Sequence, residues 1–191
     1  MMQRKLPSAQ EVEQELKREQ YKNRYRRTLK STIFALVTAA AAAVLVATLW
    51  LPVLQIYGAS MTPTLEEGQI VVSVKADKLQ QGDIVAFYYG NKVLVKRCIA
   101  GPSAWVELLE DGTVYVNGEP LEEPYLTEKS FGICDLEFPY QVPDDSYFLM
   151  GDQRDSSVDS RHSSVGCIGK DQLVGKIIYR VWPLDVLGTV K

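Results

Sequence analysis

Ser60 sits in the run GASMTPTL, residues 58–65, with Pro63 close behind it. A serine in such a turn can attack a carbonyl only if a base removes its proton. The chain has a single histidine, His162, inside the polar run GDQRDSSVDSRHSS, where it reads as an ordinary surface or turn residue. The other possible base is a lysine, which must be neutral and therefore buried with its pKa lowered. Most lysines here lie in turns or beside acids, but Lys96 lies within VLVKRCI, flanked by apolar residues. Strand alternation puts Lys96 on one face with Leu94 and Cys98, and Arg97 on the other. If that face is inward, Lys96 is desolvated; on an edge strand the side chain turns to solvent. The sequence leaves both open. A third stretch, GDQRDSSVDSR at residues 151–161, packs three Asp, two Arg and three Ser into a short loop. It is either a solvated loop held by its own ion pairs or a set of groups that orient a buried amine.

These residues lie among short β-type runs. QIVVSVKA, DIVAFYYG and KVLVKRCIA are rich in Val, Ile and aromatics and are separated by turn residues. VELLEDGTVYVNG carries Asp111-Gly112, a strong hairpin signal. YFLMGD and LVGKIIYRVW continue the pattern. The expectation is a mainly β chain: one N-terminal transmembrane helix, then an antiparallel β catalytic domain with a small inserted β or irregular region at about residues 103–146. Residues 118–146 hold four of the nine prolines and read as irregular.

The net charge of -3 hides two opposite regions. Residues 1–31 hold nine of the 21 Lys and Arg, Arg4 and Lys5 among them, and four of the 24 acidic residues. The remaining residues keep 12 basic and 20 acidic side chains. Next comes TIFALVTAAAAAVLVATLWL at residues 32–51, without a charge, Gly or Pro. At about 1.5 Å per residue it crosses a hydrocarbon core roughly 30 Å thick. Basic residues crowd its N-terminal side, and none appears beyond it until Lys75. The positive-inside rule then places a basic tail, residues 1–31, in the cytoplasm and residues 52–191 outside it, as a single-pass protein of the cell membrane. A cleaved signal peptide and a buried helix of a soluble protein are the alternatives for this segment. An acidic domain outside the cytoplasm has little reason to bind nucleic acid. Cys98, Cys134 and Cys167 are an odd number with no metal-ligand spacing; they read as packed apolar residues, and no metal or cofactor is assigned.

Together, in order, the motifs resemble those of type I signal peptidases, and of the Gram-positive form in particular. Ser60-Met61-Thr62-Pro63-Thr64-Leu65 resembles the family's S-M-x-P-T-L box, and Gly82-Asp83-Ile84-Val85 its G-D-I/V-V strand. Lys96-Arg97, with Ile99 and Pro102, resembles the K-R-V-I-G-L-P-G-D box. Gly151-Asp152-Gln153-Arg154 through Ser157, Asp159, Ser160 and Arg161 resembles G-D-N-R-x-x-S-x-D-S-R, and VNGEPLEEPYL is similar to Gram-positive members.

The resemblance implies a membrane-bound Ser/Lys protease that removes signal peptides from secreted preproteins at the lipid surface. Ser60 is then the nucleophile and its backbone N–H an oxyanion donor. Lys96 is the general base, Ser157 a hydroxyl that orients it, and Asp159 with Arg161 a supporting pair. Asp152 and Arg97 form a second ion pair. Gln153 replaces the family's Asn, Ser103-Ala104 replaces a Gly-Asp, and Gly58 leaves a second oxyanion donor to backbone or water. Met61 and residues 87–89 are candidates for dipping the site into lipid and keeping Lys96 dry, with core packing the alternative for Phe87. Rival readings are a self-cleaving repressor with the same β core, a non-catalytic relative serving as an assembly factor for surface structures, and an anchored β binding module. Oligomeric state is not legible.

Overall fold

A computed structural model describes residues 9–190. Helix α1 runs without a break over Ala9–Trp50. It is thus longer than the apolar segment, because the Glu-, Lys- and Arg-rich residues before it are good helix formers with neighbours at helical spacing. Lys17 meets Glu13, and Lys22 meets Glu19. A span of the helix is long and apolar enough to cross a membrane. Arg4 and Lys5 of the basic tail lie outside the described residues.

The helical unit ends at Ala47, and a β unit begins at Thr48. Its strands in chain order are β1 (Val53–Gln55), β2 (Ile70–Val74), β3 (Ile84–Tyr89), β4 (Lys92–Ala100), β5 (Trp105–Leu108), β6 (Val114–Val116), β7 (Glu119–Pro120), β8 (Tyr140–Gln141), β9 (Ser146–Met150), β10 (Ile168–Gly169), β11 (Leu173–Trp182) and β12 (Gly188–Thr189). All pairings are antiparallel. The main sheet has the order β1-β2-β11-β3-β4-β9-β10, with β12 on β11. A smaller sheet, β7-β6-β5-β8, is built from the inserted region. What reads as irregular in sequence thus supplies short strands beside the Asp111-Gly112 hairpin; Pro120, Pro139 and Pro143 interrupt or flank strands too short to show a period.

Three apolar clusters fill the β unit. Ile56, Met61, Leu65, Val71, Ile84 and Ile177 form one, against which the turn carrying Ser60 is packed. Val85, Phe87, Cys98, Tyr147, Leu149 and Ile168 form a second. Ile99, Phe148 and Met150 of the main sheet meet Val106, Leu108 and Val114 of the small sheet in a third. Residues 84–87 of β3 are all buried, as a strand covered on both faces requires. β4 is therefore an interior strand, flanked by β3 and β9, not an edge. Its pairing is uneven: β3 accompanies it from Lys92 to Arg97, whereas β9 pairs only from Arg97 onward.

Met61 and Phe87 are buried in these clusters, and Tyr89 donates a hydrogen bond to the Ser164 carbonyl. Of the side chains considered for contact with lipid, Tyr88 alone is more than half exposed. Core packing takes the others: Met61 belongs to the first cluster, Phe87 to the second, and Tyr89 packs against the second.

Candidate active site

Lys96 reaches the site because its strand is interior. It lies opposite Val85 in the β3 register, in the row of Leu94 and Cys98, both packed in the second cluster. The residue is 4% exposed, so the protein itself covers most of it. The amine Nζ lies 2.6 Å from Ser60 Oγ. Burial lowers the Lys96 pKa from 10.5 to about 8 against the opposing pull of Asp159, with Arg161 lowering it further and Asp152 raising it. A lysine held there is neutral over an accessible pH range and in line with a hydroxyl, the arrangement a Ser/Lys nucleophile requires.

The turn of Ser60 is fixed from several sides. Thr62 N–H donates to Ala59 O and Leu65 N–H to Met61 O. The Ser60 carbonyl accepts the Gln153 N–H at 3.1 Å, which joins the turn to the polar loop after β9. Gly58 has φ +78°, and a side chain there would point into open space, so the backbone conformation accounts for glycine at this position. Among the described residues no group accepts the Ser60 N–H.

Most of the polar loop is buried: Asp152, Arg154, Ser157, Asp159, Ser160 and Arg161 are enclosed, while Asp155, Ser156 and Val158 face outward. Asp152 takes a bidentate pair from Arg97, Nε at 2.8 Å and Nη2 at 2.7 Å, and also accepts Thr64 Oγ1 at 2.5 Å. Asp159 takes Arg161 Nε and Nη2, both at 2.9 Å, and its Oδ2 accepts the Gly151 N–H. Arg161 spends its other donors on the carbonyls of Phe131, Arg154 and Ser157. Such pairs are costly to bury and costly to break, so they fix the loop more than they stabilise it.

Ser157 Oγ is fully buried and makes no hydrogen bond, so the bond expected between it and Lys96 is not formed here. Gly151 stands close by: a Cβ on it would come within 2.2 Å of Ser157 Oγ and 2.6 Å of the Ser60 carbonyl oxygen. His162 lies in the turn after Arg161, its ring beside Ser164 and 3.7 Å from Asp135, with no contact to Ser60 or Lys96.

Sequence reasoning missed a second layer. Arg154, fully buried, donates to the Gly151 carbonyl and pairs with Glu123, whose side chain is also fully buried. Tyr125 covers the Arg97 guanidinium at 3.8 Å from the ring centre and donates to Glu123. Thr64 joins the Arg97–Asp152 pair. The acids and Tyr in EPLEEPYL were the only signal for the insertion's part in this. Nothing in the spacing distinguishes Glu123 from Glu122.

A shallow groove of about 60 Å³ borders Ser60, lined by Gln55, Ile56, Tyr57, Gly58, Met61 and residues 93–95. Its β4 wall is the stretch that β9 leaves unpaired.

The site thus sets a serine hydroxyl against a buried lysine amine on a β-rich fold. The family profile described as "Signal peptidase, peptidase S26" matches residues 29–182. Signal peptidase IB of Staphylococcus aureus (strain COL) is 37% identical over 150 residues, 68% of this chain and 77% of the relative. Signal peptidase I of Bacillus caldolyticus is 35% identical over 161 residues, 74% of this chain and 87% of the relative. A crystal structure of a signal peptidase I from Enterococcus faecalis superposes with a TM-score of 0.45 at 30% identity, covering 52% of this chain and 96% of that one. The chain belongs to the signal peptidase family, peptidase S26.

Proposed function

We propose that this protein is a membrane-anchored serine endopeptidase that removes signal peptides from exported preproteins with Ser60 as nucleophile and Lys96 as general base. The observation that carries this is the 2.6 Å contact between Lys96 Nζ and Ser60 Oγ at a buried site. Neutral Lys96 takes the hydroxyl proton as Oγ attacks the scissile carbonyl. The Ser60 N–H receives the negative charge that develops on the carbonyl oxygen. Lys96 then gives its proton to the leaving amine, freeing the mature chain, and the same lysine activates the water that hydrolyses the acyl ester. Ser157, whose buried hydroxyl has no other partner, is the residue assigned to orient the amine. The pairs Asp152–Arg97 and Asp159–Arg161 hold the loop that fixes the Ser60 carbonyl.

The substrate enters extended. Residues 93–95 offer unpaired backbone to one side of a peptide, and residues 55–57 form the other wall, so a strand can add between them. The small volume of the groove admits small side chains before the cut. Residues 1–31 form the cytoplasmic tail, 32–51 the anchor and 52–191 the extracytoplasmic peptidase domain, with the insertion at about 103–146. The retention of both Ser60 and Lys96 argues against a non-catalytic assembly factor.

The test is cleavage of a preprotein in detergent. Ser60→Ala and Lys96→Ala should each remove cleavage, and the double variant should be scarcely worse than either, because the pair acts as a unit. Near-normal turnover by Lys96→Ala would contradict the assignment.

A further inference from the structure

A second cavity, about 570 Å³, lies beside the Ser60 turn and is lined by Thr62, residues 127–130 and residues 152–155. It shares no residue with the shallow groove. Ser60 borders the groove and Thr62 the cavity, so the cavity begins within two residues, about 7 Å of chain, of the nucleophile. A peptide laid across Ser60 must leave the groove on its far side. We infer that this cavity receives the first two or three residues of the mature chain, on the amine side of the scissile bond, and that it selects among them by charge. This rests on the proteolytic reading above.

Three observations support it. The groove is small, suited to a few small side chains; the cavity is nearly ten times larger and lined mostly by polar and charged residues, suited to mature N-termini of varied sequence. An extended peptide advances about 3.3 Å per residue, so two or three residues past the cut reach the cavity. The backbone that separates the two spaces is also fixed by the cavity wall, since Gln153 both lines the cavity and donates its N–H to the Ser60 carbonyl.

The charge follows from pairing. Asp152 is neutralised by Arg97 and Arg154 by Glu123. Glu128, Lys129 and Asp155 remain, all exposed on the rim. Lys129 leans on Thr113 Oγ1 at 3.4 Å, while Asp155 takes only a long bond, 3.4 Å, from Ser130. The rim is therefore net negative by one charge. It favours a basic residue shortly after the cut and disfavours an acidic one.

The experiment uses the full-length enzyme in detergent and preproteins that differ only at the second and third mature residues, Lys-Lys against Asp-Asp. The readout is the ratio of kcat/KM for the two substrates on one enzyme sample, which does not depend on the fraction folded. The wild type should prefer Lys-Lys by about fivefold, the scale of exposed charge pairs. The double variant Glu128→Lys, Asp155→Lys should reverse the preference, and Lys129→Glu should enlarge it. Ratios within about 1.5-fold of unity in the wild type, or a preference that survives the charge reversal, would overturn the inference while leaving the protease intact. Failure of the wild type to cleave any of the substrates would overturn the protease reading and the inference with it.

Discussion

In the proposed mechanism Lys96 is the general base, and its burial also bears on the stability of the fold. Its folded pKa, about 8, lies below the 10.5 of a solvated lysine. Between those values the unfolded chain binds a proton that the folded one does not, so stability rises with pH across this window. Below about pH 8 both states are protonated, and the buried charge costs the fold about 3 kcal/mol. Lys96→Met is close in shape and removes that cost. It should therefore raise the melting temperature at pH 7 by roughly 6–12 °C while removing activity, and the gain should shrink as pH rises toward 10.5. Calorimetry across pH checks this; a lower melting temperature at pH 7 would show that the amine is stabilising in place. Ser60 and Lys96 stand out in sequence because each departs from its surroundings, a serine in a turn and a lysine in an apolar run, and the structure brings the two side chains into contact. Whether Lys96 faces inward is not legible in sequence, since that depends on which strand lies at the sheet edge.

At the scale of elements, the loop after β9 acts as a hub. Gly151 gives its N–H to Asp159 and its carbonyl to Arg154, with Ser157 Oγ and the Ser60 carbonyl close by. There is no room for a methyl group, because the contacts at 2.2 and 2.6 Å are a hydroxyl in a fixed loop and a backbone oxygen. Gly151→Ala should push the loop off the Ser60 turn and lower kcat by at least about tenfold, as misplacement of order 1 Å does. KM should change much less, because the groove is lined by other strands. Preprotein kinetics on the folded variant check this, and an unchanged kcat would mean that the loop does not position Ser60. The density of charge in residues 151–161 was visible in sequence, but its burial was not. A run with this composition is usually solvated. Arg154, Arg161, Asp152 and Asp159 can be buried here because each guanidinium finds a carboxylate or carbonyl, some of them on the distant insertion. Glu123 and Tyr125 come from such a region, where short strands interrupted by proline leave no period to read.

At the scale of the whole molecule, the apolar helix and the β unit are the parts that sequence patterning predicts best, because one needs only length and composition and the other a repeated alternation. The helix extends back to Ala9, through residues whose mixture of Glu, Lys and Arg fits a helix and a coil equally well on paper. The proposed topology rests on the charge asymmetry across the apolar segment. Protease added to sealed, right-side-out cells should digest residues after about 55 and spare residues 1–30; protection of the β unit would contradict the proposed orientation.

The acid limb of the kcat/KM profile on a preprotein bears most directly on the central claim, that a buried neutral lysine activates Ser60. Below the pKa the amine is protonated and cannot accept the Ser60 proton, so activity should rise with pH and level off, with its midpoint near the value of about 8 that burial sets. A midpoint near 10.5, the value of a solvated lysine, would contradict the account, because Lys96 would then carry its proton throughout the working range.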